Sequence, residues 1–419
     1  MRRSTPSRAP GLSVIAGMVA ALTVIGIWAL WPSGDPGPDV SALASFEGVH
    51  AATTEGRTEV PCAGADGSTR CLSVTFRLIE GPDEGTTVTV ELPANSTRVV
   101  GVDLGRRVLL GHQPAVPGFE YVYLEPDRRS PLLALAGLFA LAVVALGRWK
   151  GASALVGLLA TFLVLFLFVV PAILDGRDPL LVALVGSVAI AFAALYLSHG
   201  VDVKTTVALL GTLGGLLCAA ILAVVFMGAA EITGLASEEA LFLTALGTNL
   251  DLRGLILGGM MIGALGAIDD ITVTQASAVW ELRSVDPTMS RRRLVRSGMR
   301  IGRDHVASTV NTLVLAYAGA SMPLLILFVL SDQPMGTVAN GEIVATEIVR
   351  TLVGSLGLIA SVPITTWLAV HVASPRERRS RTMPVASGDA DAGPEEHPIP
   401  EHRRDQWMGL LRSWRSRRP

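Results

Sequence analysis

The sequence predicts an all-α membrane bundle of about eight transmembrane helices carrying a small extracytoplasmic all-β domain, an OB- or SH3-like barrel. Three observations predict it. Half of the 419 residues are apolar and only 17% are charged, too little charge to cover a soluble domain of this length. Eight apolar runs approach or reach the ~20 residues that a helix needs to cross hydrocarbon. Between the first two runs, apolar and polar residues alternate with period two, the mark of strands with one buried face.

The runs are Leu12–Trp31, Pro131–Leu146, Ala152–Leu174, Leu180–Leu197, Thr205–Phe226, Leu252 to about Val279, Ala307–Leu330 and Ile348–Val372. Basic residues orient them, because Lys and Arg collect on the cytoplasmic side. Arg2, Arg3 and Arg8 precede the first run. Alternation then puts Gly147–Gly151, Ser198–Lys204, Leu282–Arg303 and the tail after Val372 inside. Leu282–Arg303 holds seven arginines and the tail ten. The loops Gly228–Asp251 and Ser331–Glu347 hold neither Lys nor Arg, and fall outside together with Asp175–Asp178. Both termini are therefore expected to be cytoplasmic. Every basic residue except Lys150 and Lys204 is arginine, which suggests a GC-rich bacterial genome, and the localisation expected is the bacterial cell membrane. The first run reads as a retained anchor; the alternative is a signal peptide cleaved near Ala42-Leu43-Ala44.

The domains expected are an N-terminus and anchor (1–31), the β domain (32–130), a seven-helix domain (131–372) and a basic tail (373–419). In the β domain, Leu72, Val74, Phe76 and Leu78 form one alternating run and Val88, Val90 and Leu92 another, joined by the turn-forming Glu80–Gly85. Arg107–Leu110 and Tyr121–Leu124 add shorter strands. Cys62 and Cys71 fall on the oxidising side, where a disulfide is expected. The domain shows no metal or catalytic constellation, and its Asn95-Ser96-Thr97 triplet carries no meaning in a bacterium. In the tail, Trp407, Leu410, Leu411 and Trp414 among arginines describe a basic amphipathic helix suited to an anionic leaflet.

The unusual residues lie in Gly258–Asn311. Gly259, Gly263 and Gly266 have spacing that lets helices approach closely, and Gly211, Gly214 and Gly215 in the fifth run read as packing residues. Asp269 and Asp270 follow the first group, ~26 Å in from Leu252 at ~1.5 Å per residue. Asp270, Thr274, Ser277 and Glu281 share a helix face, and Gln275 lies beside them. On the next helix, Asp304, Ser308 and Asn311 share a face flanked by Thr309 and Thr312. Facing each other, the two stripes would enclose a polar pocket open to the cytoplasm, with Asp270 near Asn311 or Asp304. Carboxylates in lipid are costly and usually serve a purpose. The alternative is that the sixth helix ends near Asp269 and the acidic pair is a solvated helix end. His199-Gly200-Val201-Asp202 reads as a loop at the same mouth.

Several strings resemble the YibE/F-like membrane proteins of bacteria. They are Arg148–Gly151, Leu209–Gly215, Gly263–Asp270, Gly302–Asp304, Asn311–Tyr317, Gly354–Gly357 and Val362–Ile364. The resemblance covers most of Tyr121–Val372. It implies the multi-pass topology and names no chemistry.

The leading functional reading is a transporter or permease-like protein. Its candidate substrate or ion-binding residues are Asp269, Asp270, Thr274, Gln275, Ser277, Asp304, Asn311 and Thr312. The alternatives are a scaffold or accessory subunit of an envelope complex, and an intramembrane aspartyl hydrolase using Asp270 and Asp304, whose Tyr-Asp and Gly-x-Gly-Asp signatures are absent. No nucleotide-binding loop is present, and no cofactor is expected. The partners expected are the lipid bilayer, an ion or small molecule, and a second copy or an envelope protein; the net charge of −2 argues against nucleic acid. In a Ser290→Cys variant the new thiol is expected to resist an impermeant thiol reagent in intact cells and to react once they are opened. Labelling in intact cells overturns the topology.

Overall fold

The computed structural model describes residues 10–34, 46–62, 70–93, 101–113, 120–245, 250–330 and 333–373. The first arginines, the Ala42–Ala44 site, the Asn95 triplet and the tail helix around Trp407 lie outside the described residues.

Helix α1 (Pro10–Ala29) is followed by five strands, β1 (Gly48–Pro61), β2 (Arg70–Leu78), β3 (Thr87–Pro93), β4 (Arg107–His112) and β5 (Tyr121–Pro126). They form one antiparallel sheet of order β3-β2-β1-β4-β5. The long central strand β1 pairs with β2 over Ala52–Pro61 and with β4 over Gly48–Thr53, with a bulge between Thr54 and Gly56. Its buried face is made by small residues, Ala52 and Thr54, so no large apolar alternation marks it in the sequence. Val74, Phe76, Leu78, Val108, Leu110 and Tyr123 supply the bulk on the neighbouring strands. Cys62 and Cys71 are joined where β1 ends and β2 begins, with Cα atoms 4.9 Å apart. Tyr121 donates its hydroxyl proton to Asp83 at 2.7 Å. Burial first, and then this carboxylate, push the phenol up to about 12.

The rest is helical: α2 (Arg129–Gly147), α3 (Trp149–Val164), α4 (Val170–Leu174), α5 (Pro179–His199), α6 (Val203–Ala229), α7 (Glu238–Ala245), α8 (Leu252–Val285), α9 (Arg291–Ala320), α10 (Met322–Leu330), α11 (Met335–Asn340) and α12 (Glu342–Ala373). A π-helical turn, Leu165–Val169, joins α3 to α4 in one rod. Several starts are set by caps: Asp178, Asp202 and Asp251 accept from the backbone N–H of Leu181, Thr205 and Gly254, filling donors that a first turn leaves open. Among the described residues, seven helices or rods are long and apolar enough to cross a membrane. The pair α9 and α10, bent by 63°, makes an eighth if counted as one.

One alternative is rejected and two local expectations are corrected. The helix does not end near Asp269; α8 runs on to Val285, because nothing from Asp269 to Glu281 breaks a helix. Leu282–Arg303 is a short turn after α8 followed by the first turns of α9, whose start is capped by Ser290. The segment Gly147–Gly151 is no loop: α2 and α3 meet at the single residue Arg148, at φ +52°.

The centre of the bundle is the contact among α6, α8 and α12. There a Cβ on Gly215 would lie 2.7 Å from Ser361 Cβ and 3.0 Å from both the Gly357 carbonyl and Ile268 Cγ2. A Cβ on Gly357 would meet the Gly215 carbonyl at 3.0 Å in return. Gly211 and Gly214 likewise abut Thr365 and Ile364. On α8 the packing glycines are Gly254 and Gly258, against Pro179 and Ala183; Gly259 and Gly266 face open space and Gly263 meets only the Tyr317 hydroxyl. The expectation that this second set carries the close approach is thus overturned. Gly215→Val is expected to destabilise the bundle by about 1–3 kcal/mol or more through overpacking. Gly259→Ala is expected to leave stability unchanged or raise it by up to ~1 kcal/mol. Thermal unfolding of the two variants in detergent checks the contrast.

Candidate functional site

At the level where α6, α8 and α12 are closest, polar side chains occupy buried positions. Thr212 and Thr272 are each fully buried, and their hydroxyls meet at 2.7 Å. Thr212 also lies 3.1 Å from the Ala208 carbonyl and Thr272 3.0 Å from the Asp269 carbonyl. Each hydroxyl has one proton, so one bonds the other and its partner returns to its own helix. The Asp269 carboxyl sits beside Thr212, and its Oδ1 is buried with no hydrogen-bond partner among the described residues. Thr212 is nine residues into α6, about 14 Å from that helix end.

One turn further along α8, Gln275 is 1% exposed. Its amide donates to the Gly298 carbonyl of α9 at 2.9 Å and to Thr366 Oγ1 of α12 at 2.6 Å. Thr366 passes its own proton to the Val362 carbonyl at 2.7 Å. This chain is complete and locks three helices together. Gly298 and Gly302 make room for it: a Cβ on Gly302 would meet Val362 Cγ1 at 2.5 Å and Gln275 Oε1 at 2.9 Å. A third link joins Thr274 Oγ1 to His305 Nδ1 at 3.2 Å. Thr274 also has the backbone carbonyls of Asp270 and Ile271 at 3.0 Å, and the tautomer of His305 decides which of the two side chains donates.

The candidate residues therefore fall into two groups. Asp269, Thr274 and Gln275 enter the helix contacts, and Ser277 is half-buried beside them. Asp270, Asp304, Asn311 and Thr312 are exposed, and no hydrogen bond joins Asp270 to Asp304 or Asn311 among the described residues. Adjacent residues point about 100° apart on a helix, so turning Asp269 toward α6 turns Asp270 outward, onto the face of Gly259, Gly263 and Gly266. The inward face of α9 is Gly302, His305, Thr309, Leu313 and Tyr317, and the stripe Asp304–Ser308–Asn311 lies opposite it. The pocket expected between the two stripes is not formed for that reason. At the end of α5, His199 is within electrostatic reach of Lys204, Lys150, Asp202 and Asp270, so that loop and Asp270 share one mouth.

Thr212, His305 and Thr366 are the site residues that sequence reasoning missed. Thr212 is embedded in the glycine string Gly211–Gly215 and Thr366 adjoins Thr365, which follows Ser361 at i+4, so a polar residue inside a small-residue stripe was the available signal. Among the described residues no group of three or more His, Cys, Asp or Glu is arranged to hold a metal. Gln275→Leu is expected to leave the Gly298 carbonyl and Thr366 without their partner and to cost about 1–3 kcal/mol. A melting temperature lowered by several degrees checks it; an unchanged one denies Gln275 its locking role.

No curated protein and no solved structure matches the chain. The family model of the YibE/F-like proteins matches residues 135–375. That match runs from within α2 to the end of α12, takes in both polar layers of the bundle and covers more than half of the sequence: the chain belongs to the YibE/F-like family.

Proposed function

We propose that this chain is a multi-pass protein of a bacterial cell membrane, both termini cytoplasmic, and that it carries a small cation through a site built around Asp269. The domain division proposed is that of the sequence, with an OB- or SH3-like β domain outside. One observation carries the reading: Asp269 Oδ1 is buried with no hydrogen-bond partner among the described residues. An unsatisfied carboxylate oxygen costs several kcal/mol in an apolar medium, and a bound proton or cation removes that cost. The group beside this carboxyl is the Thr212 hydroxyl, which in turn meets the Thr272 hydroxyl. A single carboxylate with neutral oxygens suits a proton or an alkali cation, and the set lacks the nitrogen and sulfur ligands that select softer metals. Thr274, Gln275 and His305 hold α8 against α9 and α12. Asp270, with His199, would form the cytoplasmic mouth of the site.

A second reading rests on the outward stripe Asp304, Ser308, Asn311 and Thr312. Exposed polar residues at this depth favour a covering helix from another protein, as in an accessory subunit. The hydrolase reading has no support in the separation of Asp270 from Asp304.

The test is ion flux in proteoliposomes of the full chain, with proton and alkali-cation gradients applied in turn. Wild type is expected to carry one of them, Asp269→Asn to lose at least about 90% of the flux, and Asp270→Asn to lose less, since losing a charged interaction costs ~1.5–3 kcal/mol. No flux from wild type with either gradient rejects the carrier in favour of the accessory subunit.

A further inference from the structure

The first turns of α9 carry a hollow of about 420 Å³ whose wall is Ser290, Arg292, Arg293, Arg296, Ser297 and Arg300. All six residues belong to α9 or to its cap, so the hollow runs along one side of a single helix. Arg292, Arg296 and Arg300 follow one another at i+4, and Arg293 precedes Arg296 by three, so all four are neighbours on the helix surface. The other side of the helix is the packed one: Leu294 is fully buried there and Gly298 abuts Val279 and Thr366. The four arginines are exposed and spread over about 12 Å of helix.

Nothing in the wall balances them. It contains no carboxylate, and the ion pairs found among the described residues are made by other side chains. Asp286, on the turn before α9, lies within electrostatic reach of Arg293. Its Oδ1 is engaged by Thr288, accepting from the N–H at 3.0 Å and from the hydroxyl at 2.6 Å. Asp304, one turn beyond Arg300, is exposed and stands outside the wall, which sets the deep limit of a region that favours anions. Ser290 Oγ accepts from the Arg293 N–H at 3.4 Å, which leaves its own proton to donate. The first turn of this thirty-residue helix adds partial positive charge.

Membrane orientation does not call for such a grouping. It depends on how many Lys and Arg lie on one side, not on their sharing a hollow, and Arg291 and Arg303 serve it from outside the wall. Four like charges this close repel one another, and an anion among them removes that cost. The planar guanidinium fork matches the oxygens of a phosphate, two at a time. The volume lies within the ~300–1,000 Å³ of small-molecule sites, room for a phosphate together with the group that carries it.

We propose that this hollow binds a phosphate group, carried either by an anionic phospholipid of the adjoining leaflet or by a free phosphorylated molecule. Arg296 stands at its centre, within one turn of the other three arginines, and contributes most. The serine hydroxyls add neutral donors at its edges. The site is separate from Asp269 and does not depend on transport through it.

The test uses the full chain in detergent at one fixed ionic strength, because exposed charges are screened by salt. Thermal unfolding is followed as inorganic phosphate, short-chain phosphatidic acid or short-chain phosphatidylcholine is added; a ligand held by the folded state raises the melting temperature. Phosphatidic acid is expected to raise it and phosphatidylcholine to leave it unchanged. A rise with phosphatidic acid alone assigns a lipid headgroup, and a rise with inorganic phosphate as well admits a free phosphorylated molecule. Arg296→Gln is expected to raise the apparent Kd at least about tenfold, the loss of one charged contact. Arg296→Lys, which keeps the charge without the fork, is expected to fall between it and wild type. Arg291→Gln removes the same charge outside the wall and is expected to change Kd by less than about threefold, as an exposed charge does. Equal weakening by Arg291→Gln and Arg296→Gln reduces the hollow to a diffuse positive surface and overturns the site. A wild type that responds to neither inorganic phosphate nor phosphatidic acid overturns it as well.

Discussion

The structure depends on the approach of α6 to α12 at Gly215 and Gly357. Each glycine sits against the backbone carbonyl of the other, so any side chain at either position would push the helices apart. In a medium as apolar as the side chains themselves, helices gain little from hiding apolar surface from one another. What remains is dispersion and polar contact, and both fall off within a fraction of an ångström of extra separation. Closing α6 on α12 is therefore what permits the short bonds around it: Thr212 to Thr272, and Gln275 to Thr366. Threonine serves well in this setting, since its hydroxyl can return its proton to a carbonyl one turn back, as Thr365 does to Ser361 at 2.7 Å, and so does not depend on a partner across the contact.

The same contact divides the polar residues of α8 into two kinds. Gln275 finds a donor–acceptor chain that closes, and it acts as a fastener. Asp269 has Thr212 beside it and still retains an oxygen, Oδ1, with no hydrogen-bond partner among the described residues. Side by side, a complete network and an incomplete one have opposite consequences. The complete one resists change. The incomplete one is stabilised by any species that supplies positive charge or a proton, and so it couples the packing of α6 on α8 to the presence of a ligand. Where such coupling exists, a cation bound at Asp269 and the separation of α6 from α8 are linked quantities, which is the requirement for a carrier as distinct from an open pore.

Much of this architecture was legible in the sequence, and the failures have physical causes. Most of the long apolar runs survive as helices because composition decides them, with boundaries moved by a few residues where Asp178, Asp202 and Asp251 cap the first turns; Ala307–Leu330 is the exception, its helix starting at Arg291 and the run broken by a bend of 63° between α9 and α10. Strands β2 and β3 were legible because their buried positions carry Val, Phe and Leu. Strand β1 was not, because the centre of the sheet is filled by Ala52 and Thr54, and small residues give no period-two signal. On α8 and α9 the helical faces were read correctly as faces, but periodicity does not tell which one a neighbour covers. The most polar stripe of α9 proved to be its outward one, and the inward one is marked by Gly302, His305 and Tyr317. Asp269 and Asp270 were read as a pair; a helix turns them about 100° apart, so only one could enter the core.

That last point bears on why two adjacent carboxylates would be placed here at all. Two ionised groups facing one cavity would repel and push one of them to hold a proton permanently. Set about 100° apart, they have different surroundings: Asp269 has the Thr212 hydroxyl beside it and Asp270 within electrostatic reach, and Asp270 lies outward on the exposed face of Gly259, Gly263 and Gly266. An arrangement built only for stability would fill those positions with leucine and replace Asp269 by a residue that needs no partner. The exposed glycines and the carboxylate oxygen without a partner among the described residues are each a cost to the fold, and they lie on the same three turns of one helix, next to the contact that sets the spacing of the bundle.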